Sequence, residues 1–269
     1  MKDNSLKDLH QRHLLMMDEI HRICEENGIK YSLMGGTLIG AMRHKGFIPW
    51  DDDLDIGMMW EDYEKFIEVT KNLNHKWLEF EVPDETNTII WSLMKVYDTR
   101  TTFIDTLSGT AKGVFIDVFP ITYSGNTLFA SKCHFYYHHV FKALLVRKNP
   151  KFKGKSKILD FIITSIARLI PTKLMLRAVN SHYRHLNRIP TQFVSDFDGC
   201  TRGIVPAEYL NDYQLYDFEG KQYLGIKRAV EYLTWVWGNY MQLPPEEKRI
   251  PHHAEYINFN LPYKDYHGK

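Results

Sequence analysis

The order of hydrophobic and polar positions predicts a first half in which helices alternate with short strands. Apolar residues recur at helical spacing over residues 5–27, and Asn27-Gly28 is a typical C-terminal stop. Runs of β-type residues, some with alternating apolar and polar positions, separate the helical patterns. The predicted helices are 5–27, 37–45 and 61–73, and the predicted strands are 29–34, 51–58, 78–82, 89–98, 101–105 and 114–120.

The second half has a different pattern. Long helical patterns run from about residue 126 through 188, a mixed stretch follows at 217–226, and a further helix is predicted at 226–238. We therefore expect an α/β (α+β) fold, in which a mixed sheet is flanked by helices and joined to a helical lobe. The expected parts are an α/β core at 1–125, the lobe at 126–190, and a C-terminal segment at 191–269 that packs back on the core.

The stretch GGTLIGAMRHKGFIPWDDDLDIGM, residues 35–58, contains the main candidates for chemistry. Asp53 and Asp55 lie two residues apart in a predicted strand, so their carboxylates should project from one face. Such a pair of hard oxygen ligands suits Mg²⁺ or Mn²⁺. The glycines Gly35 and Gly36, just before a helix, permit close approach of the backbone to a phosphate, which the helix N-terminus then binds. Asp117, in the apolar run VFIDVFP, is the best candidate for a third carboxylate, since a buried acid is costly unless it is paired or metal-bound.

Each of these signals has a simpler explanation when it is taken alone. A glycine pair is usually an ordinary turn, an acidic run is usually a solvated loop, and glycosyltransferases also hold a metal with an Asp-x-Asp pair. The combination of strand, glycine pair, helix, Asp-x-Asp and later acid favours a metal-dependent site that handles phosphate. Of the two remaining acids, Asp51 and Asp52, we expect one to join the cluster and the other to be solvated.

The order of these motifs resembles the nucleotidyltransferase fold, which is marked by Gly-Gly or Gly-Ser, an acidic pair and a third acid. Within that fold, residues 35–58 strongly resemble the LicD family of phosphocholine transferases, to which the fukutin-related proteins are kin. The stretches KVYDTRTTF and GVFIDVFP and the tail FEGKQYLGIKRAVEYLTWVWGNYMQLPPEEKR support the resemblance. It extends from about residue 10 to 250 and is weakest over 126–200.

The resemblance implies transfer of a phospho-alcohol, typically phosphocholine from CDP-choline, to a sugar hydroxyl of a lipid-linked cell-surface glycan precursor such as teichoic acid or lipopolysaccharide, with release of CMP. Asp53, Asp55 and Asp117 would be catalytic and would hold Mg²⁺ or Mn²⁺. Asp117 would also be the candidate base for the acceptor hydroxyl. The implied substrate-binding residues are Gly35, Gly36, Thr37, Arg43 and Lys95.

Two of these residues have a structural alternative, and the whole chain has alternative functions. Lys95 would equally suit an edge strand with its amine in water, and Arg43 would suit the negative end of a helix. The same fold could instead move a whole nucleotide to a small molecule, which would release pyrophosphate rather than CMP. A catalytically silent scaffold at a membrane is the third possibility, against which the intact acids argue.

Composition and charge place limits on the partners. The chain has 269 residues with 44% hydrophobic residues and a net charge of +1, which is ordinary for a globular protein. Residues 141–190, however, carry twelve Lys or Arg and one acid, a net charge of +11 that leaves −10 elsewhere. This block predicts an anionic partner or surface, and without a nucleic-acid-binding motif we do not expect nucleic acid. The charged N-terminal stretch and three scattered cysteines indicate a cytoplasmic protein.

Residues 158–170, directly after the lysine-rich run 146–157, are apolar around most of a helix. Thirteen residues span about 20 Å, too short for a hydrocarbon core of about 30 Å. Two interpretations remain open, a buried helix of the lobe and an interfacial helix on the inner face of the cell membrane. The quaternary ammonium of choline would need an aromatic face. The candidates are Trp50, Trp60, Trp91, Trp235, Trp237 and Tyr240.

Overall fold

A computed structural model describes residues 3–83, 93–106, 109–148, 157–251 and 254–268, and its centre is a mixed β-sheet. The main strands follow the order β1-β2-β5-β4-β10, with β3 also on β4 and with β6 and β7 continuing from β5; β8 and β9 form a separate hairpin. Only β2 and β5 pair in parallel among these strands of the described chain. The strands are β1 (Ser32–Leu33), β2 (Asp55–Met59), β3 (Leu78–Glu81), β4 (Met94–Asp105), β5 (Ala111–Gly125), β6 (Phe193–Ser195), β7 (Val205–Pro206), β8 (Tyr213–Phe218), β9 (Lys221–Ile226) and β10 (Ala254–Asn258).

The helices confirm the predicted change of character near residue 126. The helices are α1 (Asp3–Glu26), α2 (Gly35–Arg43), α3 (Trp60–Lys71), α4 (Leu128–Val146), α5 (Lys157–Leu169), α6 (Thr172–Leu186) and α7 (Ala229–Trp237). The predicted mixed α/β class is therefore confirmed. Within the described ranges, no helix has both the length and the hydropathy that crossing a membrane requires.

The runs predicted as separate strands at 89–98 and 101–105 form one strand where they are described. Residues 84–92 lie outside the described residues, and β4 begins at Met94 and continues to Asp105. Its pairing with β5 shifts register between Asp98 and Phe103. Asp98 holds this irregular stretch together, since its carboxylate accepts hydrogen bonds from the backbone and side chain of Arg100 and its carbonyl accepts one from Thr101. Side-chain bonds of this kind carry a strand through a bulge.

The described residues pack around a large core and a smaller one. The large core includes both faces of the sheet, helices α1 to α3 and the β8–β9 hairpin. The hairpin meets Tyr31 and the adjoining β1 through two hydrogen bonds, from Leu224 N–H to Tyr31 Oη (3.2 Å) and from Ile226 N–H to Ser32 Oγ (3.0 Å). The smaller core lies between α4, α5 and α6, and its buried residues are Leu144, Leu145, Ala167, Met175 and Leu176. The division into three parts remains a prediction.

Candidate active site

Three charged residues of the central sheet lie side by side on neighbouring strands. In the parallel pair β2–β5, Asp55 is opposite Asp117, and in the antiparallel pair β4–β5, Lys95 is opposite the same Asp117. Residues in register on adjacent strands project from the same face. Lys95 Nζ accordingly lies 2.5 Å from Asp117 Oδ1. The register of the sheet thus assembles a carboxylate–carboxylate–ammonium row.

The alternation along β5 explains why Asp117 faces a cavity in spite of its apolar neighbours. Val114, Ile116 and Val118 are fully buried in the core. The residues that alternate with them line a cavity on the other face, and these are Phe115, Asp117 and Phe119. On β4, Lys95 takes the equivalent place between buried Met94 and Val96. Lys95 is only 7% exposed on a strand that has neighbours on both sides, so the edge-strand interpretation of this lysine is wrong.

The two glycines do not form a turn ahead of the helix but are the first residues of α2. Gly35 has a φ of +53°, and a Cβ there would lie 3.2 Å from Asp55 Oδ2. A Cβ on Gly36 would lie 2.6 Å from Asp51 Oδ2, closer than real contacts allow. The glycines are therefore needed because two carboxylates approach the first turn of the helix, whose free N–H groups carry partial positive charge.

The start of β2 also differs from the prediction. The strand begins at Asp55, so Asp53 lies in the segment just before it rather than within it. Thr37 of α2 fixes this point, because its Oγ1 accepts a hydrogen bond of 2.9 Å from Asp55 N–H. Asp52 is buried and Asp51 is partly buried, so the expectation that one of the two is solvated is wrong. Both instead belong to the crowded acidic segment beside α2.

A cavity of about 510 Å³ lies over the row of charged residues. One wall, the sheet wall, comes from β4 and β5 together with Asp53 and Asp55. The opposite wall, the helical wall, comes from α4. The sheet wall consists of Asp53, Asp55, Leu93, Lys95, Phe115, Asp117 and Phe119, the helical wall consists of His139, Lys142, Ala143, Val146 and Arg147, and Asp105 and Asp198 complete the lining.

Burial and mutual repulsion perturb the acids of the sheet wall. Burial, followed by repulsion from Asp53 and Asp117, raises the pKa of Asp55 well above its usual range. Burial also raises the pKa of Asp117, although the neighbouring Lys95 ammonium opposes that shift. Closely spaced buried carboxylates favour protonation unless a cation lies among them. A cation placed among the acids of the sheet wall would therefore lower the repulsion between their carboxylates.

The helical wall supplies two cations that the sequence did not identify as site residues. Lys142 Nζ lies 2.5 Å from Asp198 Oδ1 and also donates to the Asp198 carbonyl oxygen at 2.8 Å. Arg147 Nη2 lies 2.7 Å from Asp160 Oδ1 in the first turn of α5. Both cations belong to the basic block of residues 141–190, so the signal was present but pointed to an external anion rather than to the lining of a cavity.

The residues present fit a divalent cation through their donor chemistry. In the described part of the chain, no three His, Cys, Asp or Glu side chains are grouped closely enough to form a ready metal site. Mg²⁺, however, commonly takes only one or two protein carboxylates and fills its other positions with water and substrate phosphate. Asp55 and Asp117 are neighbours in register, and the raised pKa of each shows that added positive charge would stabilise them. The set Asp53, Asp55 and Asp117 remains a prediction.

Four of the predicted substrate-binding residues are not among the described residues that line the cavity. These are Gly35, Gly36, Thr37 and Arg43. Arg43 Nη1 instead donates to the carbonyls of Tyr240, at 2.7 Å, and of Gln242, at 3.4 Å. Nearby, the Arg249 guanidinium lies 5.4 Å from the ring centre of Trp50. The tail after α7 therefore packs beside the end of α2 and Trp50, just before the acidic segment.

The aromatic residues of the cavity are also not the predicted ones. Trp60 is buried and stacks on Tyr183, and Trp235 Nε1 donates to the carbonyl of Ile204. Trp91 lies outside the described residues. The other predicted aromatics are not among the described residues that line the cavity. The phenyl rings of its lining are those of Phe115 and Phe119. Lys95 Nζ lies 3.8 Å from the ring centre of Phe115, so this ring already has one cation on its face.

Comparison with known proteins identifies the class and then the relatives. The sequence matches the domain described as LicD/FKTN/FKRP, nucleotidyltransferase domain, over residues 28–148, a range that includes both walls of the cavity. Over 272 aligned residues, covering 95% of this chain and 98% of the relative, it is 30% identical to the lipopolysaccharide cholinephosphotransferase LicD of Haemophilus influenzae. The chain belongs to the LicD family. It is also 50% identical over 40 residues to the human and mouse ribitol 5-phosphate transferase FKRP, a match to 15% of this chain and 8% of theirs.

Proposed function

We propose that this chain transfers a phospho-alcohol, with phosphocholine as the first candidate, from a CDP-alcohol donor such as CDP-choline to a sugar hydroxyl of a lipid-linked cell-surface glycan, with release of CMP. The acceptors that we consider first are lipopolysaccharide and teichoic acid precursors. The single observation that carries the proposal is the row of Asp55, Asp117 and Lys95 on neighbouring strands, which faces a cavity whose other wall is basic. The family relationship supports the same reaction class.

The proposed chemistry assigns roles to both walls. Asp53, Asp55 and Asp117 would hold Mg²⁺ or Mn²⁺, which would neutralise the diphosphate and stabilise the departing CMP. Lys95, Lys142 and Arg147 would bind phosphate oxygens by charge-assisted hydrogen bonds. The acceptor hydroxyl oxygen forms a bond to the phosphorus that carries the alcohol, and the bond from that phosphorus to the CMP oxygen breaks. Asp117 would take the proton of the hydroxyl, a task that its raised pKa favours.

The first experiment incubates the protein with CDP-choline, Mg²⁺ and a glycan acceptor and measures CMP. Parallel reactions replace the donor by CDP-ribitol, CDP-glycerol or CDP-ethanolamine, and the preferred alcohol is the one that gives the fastest release. A chain in which Asp55 is replaced, Asp55→Asn, is the control for contaminating hydrolases. The proposal would be contradicted if CMP were released without transfer to the glycan, or if none of the donors gave CMP.

The alternative in which a nucleotide is moved to a small molecule predicts a different product. A nucleoside triphosphate would then release pyrophosphate, which the same reactions measure. We expect the chain to act in the cytoplasm, where nucleotide-activated donors are available. The free cysteines Cys24, Cys133 and Cys200 are compatible with that reducing compartment. A non-catalytic scaffold would show neither CMP nor pyrophosphate and would bind the donor no better than the Asp55→Asn variant does.

A further inference from the structure

Helix α5 has apolar residues on two faces, of which only one is explained by packing. The inner face, with Ala167 fully buried and Ile163 partly buried, packs in the smaller core against α4 and α6. On the outer face, apolar side chains are 44% to 83% exposed. These outer residues are Ile158, Phe161, Ile162, Ile166 and Leu169. Helix α5 is therefore buried in the lobe on one face only, and the outer apolar face needs another explanation.

The charges around α5 indicate which kind of partner would cover this face. The block of residues 141–190 contains twelve basic residues and one acid, Asp160, and that acid is paired with Arg147. Arg168 near the end of α5 and Lys173 at the start of α6 are both exposed. An apolar stripe with a cationic border, on a helix too short to cross a bilayer, is the pattern of a helix that lies in the membrane interface. Anionic lipid headgroups attract the basic residues, and the acyl region accepts the apolar ones.

We propose that the outer face of α5, comprising Ile158, Phe161, Ile162, Ile166 and Leu169, binds flat on a lipid bilayer that contains anionic headgroups. A second copy of the chain that docked through the same face would bring its exposed Arg168 and Lys173 against those of the first copy, since a shared patch in a two-fold dimer repeats on both partners. That repulsion argues against self-association. The bilayer supplies both the apolar layer and the negative charge that the surface requires.

Helix α4 connects this surface to the candidate active site. Leu144 and Leu145 of α4 pack toward α5, whereas Ala143 and Val146 line the cavity. The cavity and α5 therefore lie on two sides of α4, and a helix with its side chains is about 10 Å in diameter. Arg147 spans the two, because it lines the cavity and is paired with Asp160 of α5. Binding through α5 would thus hold the cavity close to the bilayer, where a lipid-linked glycan is presented; this consequence rests on the proposed function, whereas the binding itself does not.

Vesicle flotation with the full chain tests the binding. We expect the protein to float with vesicles that contain phosphatidylglycerol in phosphatidylcholine, to float less at high salt, and to remain unbound with phosphatidylcholine alone. The double variant Phe161→Ser/Leu169→Ser should lower partitioning at least about tenfold, since two of the three most exposed apolar side chains of the outer face are lost. The matched control is Leu215→Ser, which removes a half-exposed leucine on β8.

The charge contribution has its own variant. Arg168→Gln/Lys173→Gln should weaken binding to anionic vesicles and lower its dependence on salt, while thermal unfolding stays unchanged because both side chains are exposed. Absence of flotation at low salt, or equal flotation of the native chain and the Phe161→Ser/Leu169→Ser variant, would overturn the proposal. So would concentration-dependent self-association in sedimentation velocity that this double variant abolishes.

Failure of this inference is separable from failure of the proposed function. If the native chain floats but releases no CMP from any donor, the reaction is wrong and the binding surface stands. If the native chain transfers the phospho-alcohol to a water-soluble acceptor with release of CMP but never floats with vesicles, the reaction stands and the binding surface is wrong. A selective loss of transfer to vesicle-embedded acceptor in the double variant would support both.

Discussion

The sheet wall and the helical wall of the cavity carry opposite charges, and the chain holds them in different ways. The acids of the sheet wall are fixed by strand register, with Asp55 and Asp117 in direct opposition on β2 and β5. The cations of the helical wall form ion pairs with other segments, Lys142 with Asp198 and Arg147 with Asp160. Under the proposed function, the groups that would hold one geometry lie on or next to the sheet, whereas the groups that would exchange a protein carboxylate for a ligand lie on or next to a helix.

The two walls also differ in their response to protons. The pKa of Asp55 is raised by burial and by neighbouring acids, so its protonation relieves the repulsion among the acids of the sheet wall. Behind the helical wall, His138 of α4 is 3% exposed and stacks on His182 of α6, and burial together with the neighbouring histidines lowers the pKa of His138 to about 3. Protonation therefore destabilises the helical side. The comparison leads to four predictions, which proceed from the largest expected effect to the smallest.

The largest effect is expected from neutralising the acidic pair. Asp53→Asn or Asp55→Asn should lower turnover by about 10³-fold or more, because the proposed metal would lose a carboxylate ligand and the diphosphate would lose the positive charge that neutralises it. The fold should persist. Since the pKa of Asp55 is raised in the folded state, its contribution to stability declines as pH rises from the unfolded pKa through the folded one. Asp55→Asn should therefore unfold at a higher temperature than the native chain at pH 8 without metal.

Steady-state CMP release and thermal unfolding with and without Mg²⁺ plus donor measure both effects. Ligand should raise the unfolding temperature of the native chain and leave that of the two variants unchanged. Asp217→Asn, which changes an exposed acid on β8, is the matched control and should keep both turnover and ligand stabilisation. Near-native turnover in Asp53→Asn or Asp55→Asn would show that the assigned pair is not the metal site.

The second effect separates a catalytic from a structural role of Asp117. Asp117→Asn should lower turnover by several orders of magnitude while the fold persists, since loss of the ion pair with Lys95 is offset by removal of a buried carboxylate whose pKa is raised. Denaturant unfolding and CMP release on this variant give the two readouts. A variant that loses turnover only because it no longer folds, or one that keeps near-native turnover, would contradict the catalytic role of Asp117.

These residues were predictable because strand alternation and glycine spacing are local properties. The position of Asp117 in an apolar run marked it as a buried acid, and the register of β5 with β2 then placed it beside Asp55. The sequence did not reveal that Asp53 precedes β2, because the run of acids offers no apolar alternation before Leu54. Local pattern therefore predicted that Asp117 is a buried acid, but it did not predict the residue at which β2 begins.

The helical wall was not predictable for a different physical reason. Lys142 and Arg147 resemble the other basic residues around them in sequence, and only the docking of α4 on the sheet turns these two toward the cavity. Glycine spacing likewise did not reveal which side chain approaches the helix. The close approach at Gly36 comes from Asp51, fifteen positions later. Tertiary packing, which a single sequence does not encode in any short pattern, decides both cases.

The third prediction concerns the acid sensitivity of the helical side. The pKa of His138 is about 3 when folded, below the unfolded value of 6.5, so its contribution to stability is complete above pH 6.5 and is lost as pH falls toward about 3. Between pH 6.5 and pH 5 the loss should be about 2 kcal/mol. His138→Phe keeps the stack on Phe197 and should flatten this dependence. Denaturant unfolding across the pH series measures it, with His185→Gln, an exposed position on α6, as the control. An unchanged slope in His138→Phe would contradict the assignment.

The smallest effect should come from Lys142. Its ammonium is paired with Asp198 in the free chain, so binding a phosphate there exchanges one anion for another and yields only the difference between them. We therefore expect Lys142→Met to raise the KM for the donor about tenfold, equivalent to about 1.4 kcal/mol, with a smaller change in kcat. Lys132→Met, an exposed lysine on the same helix outside the described lining, is the control and should change neither constant. A fall in kcat as large as that of Asp55→Asn would instead place Lys142 with the acids, and the distinction between a rigid catalytic wall and an exchangeable binding wall would fail.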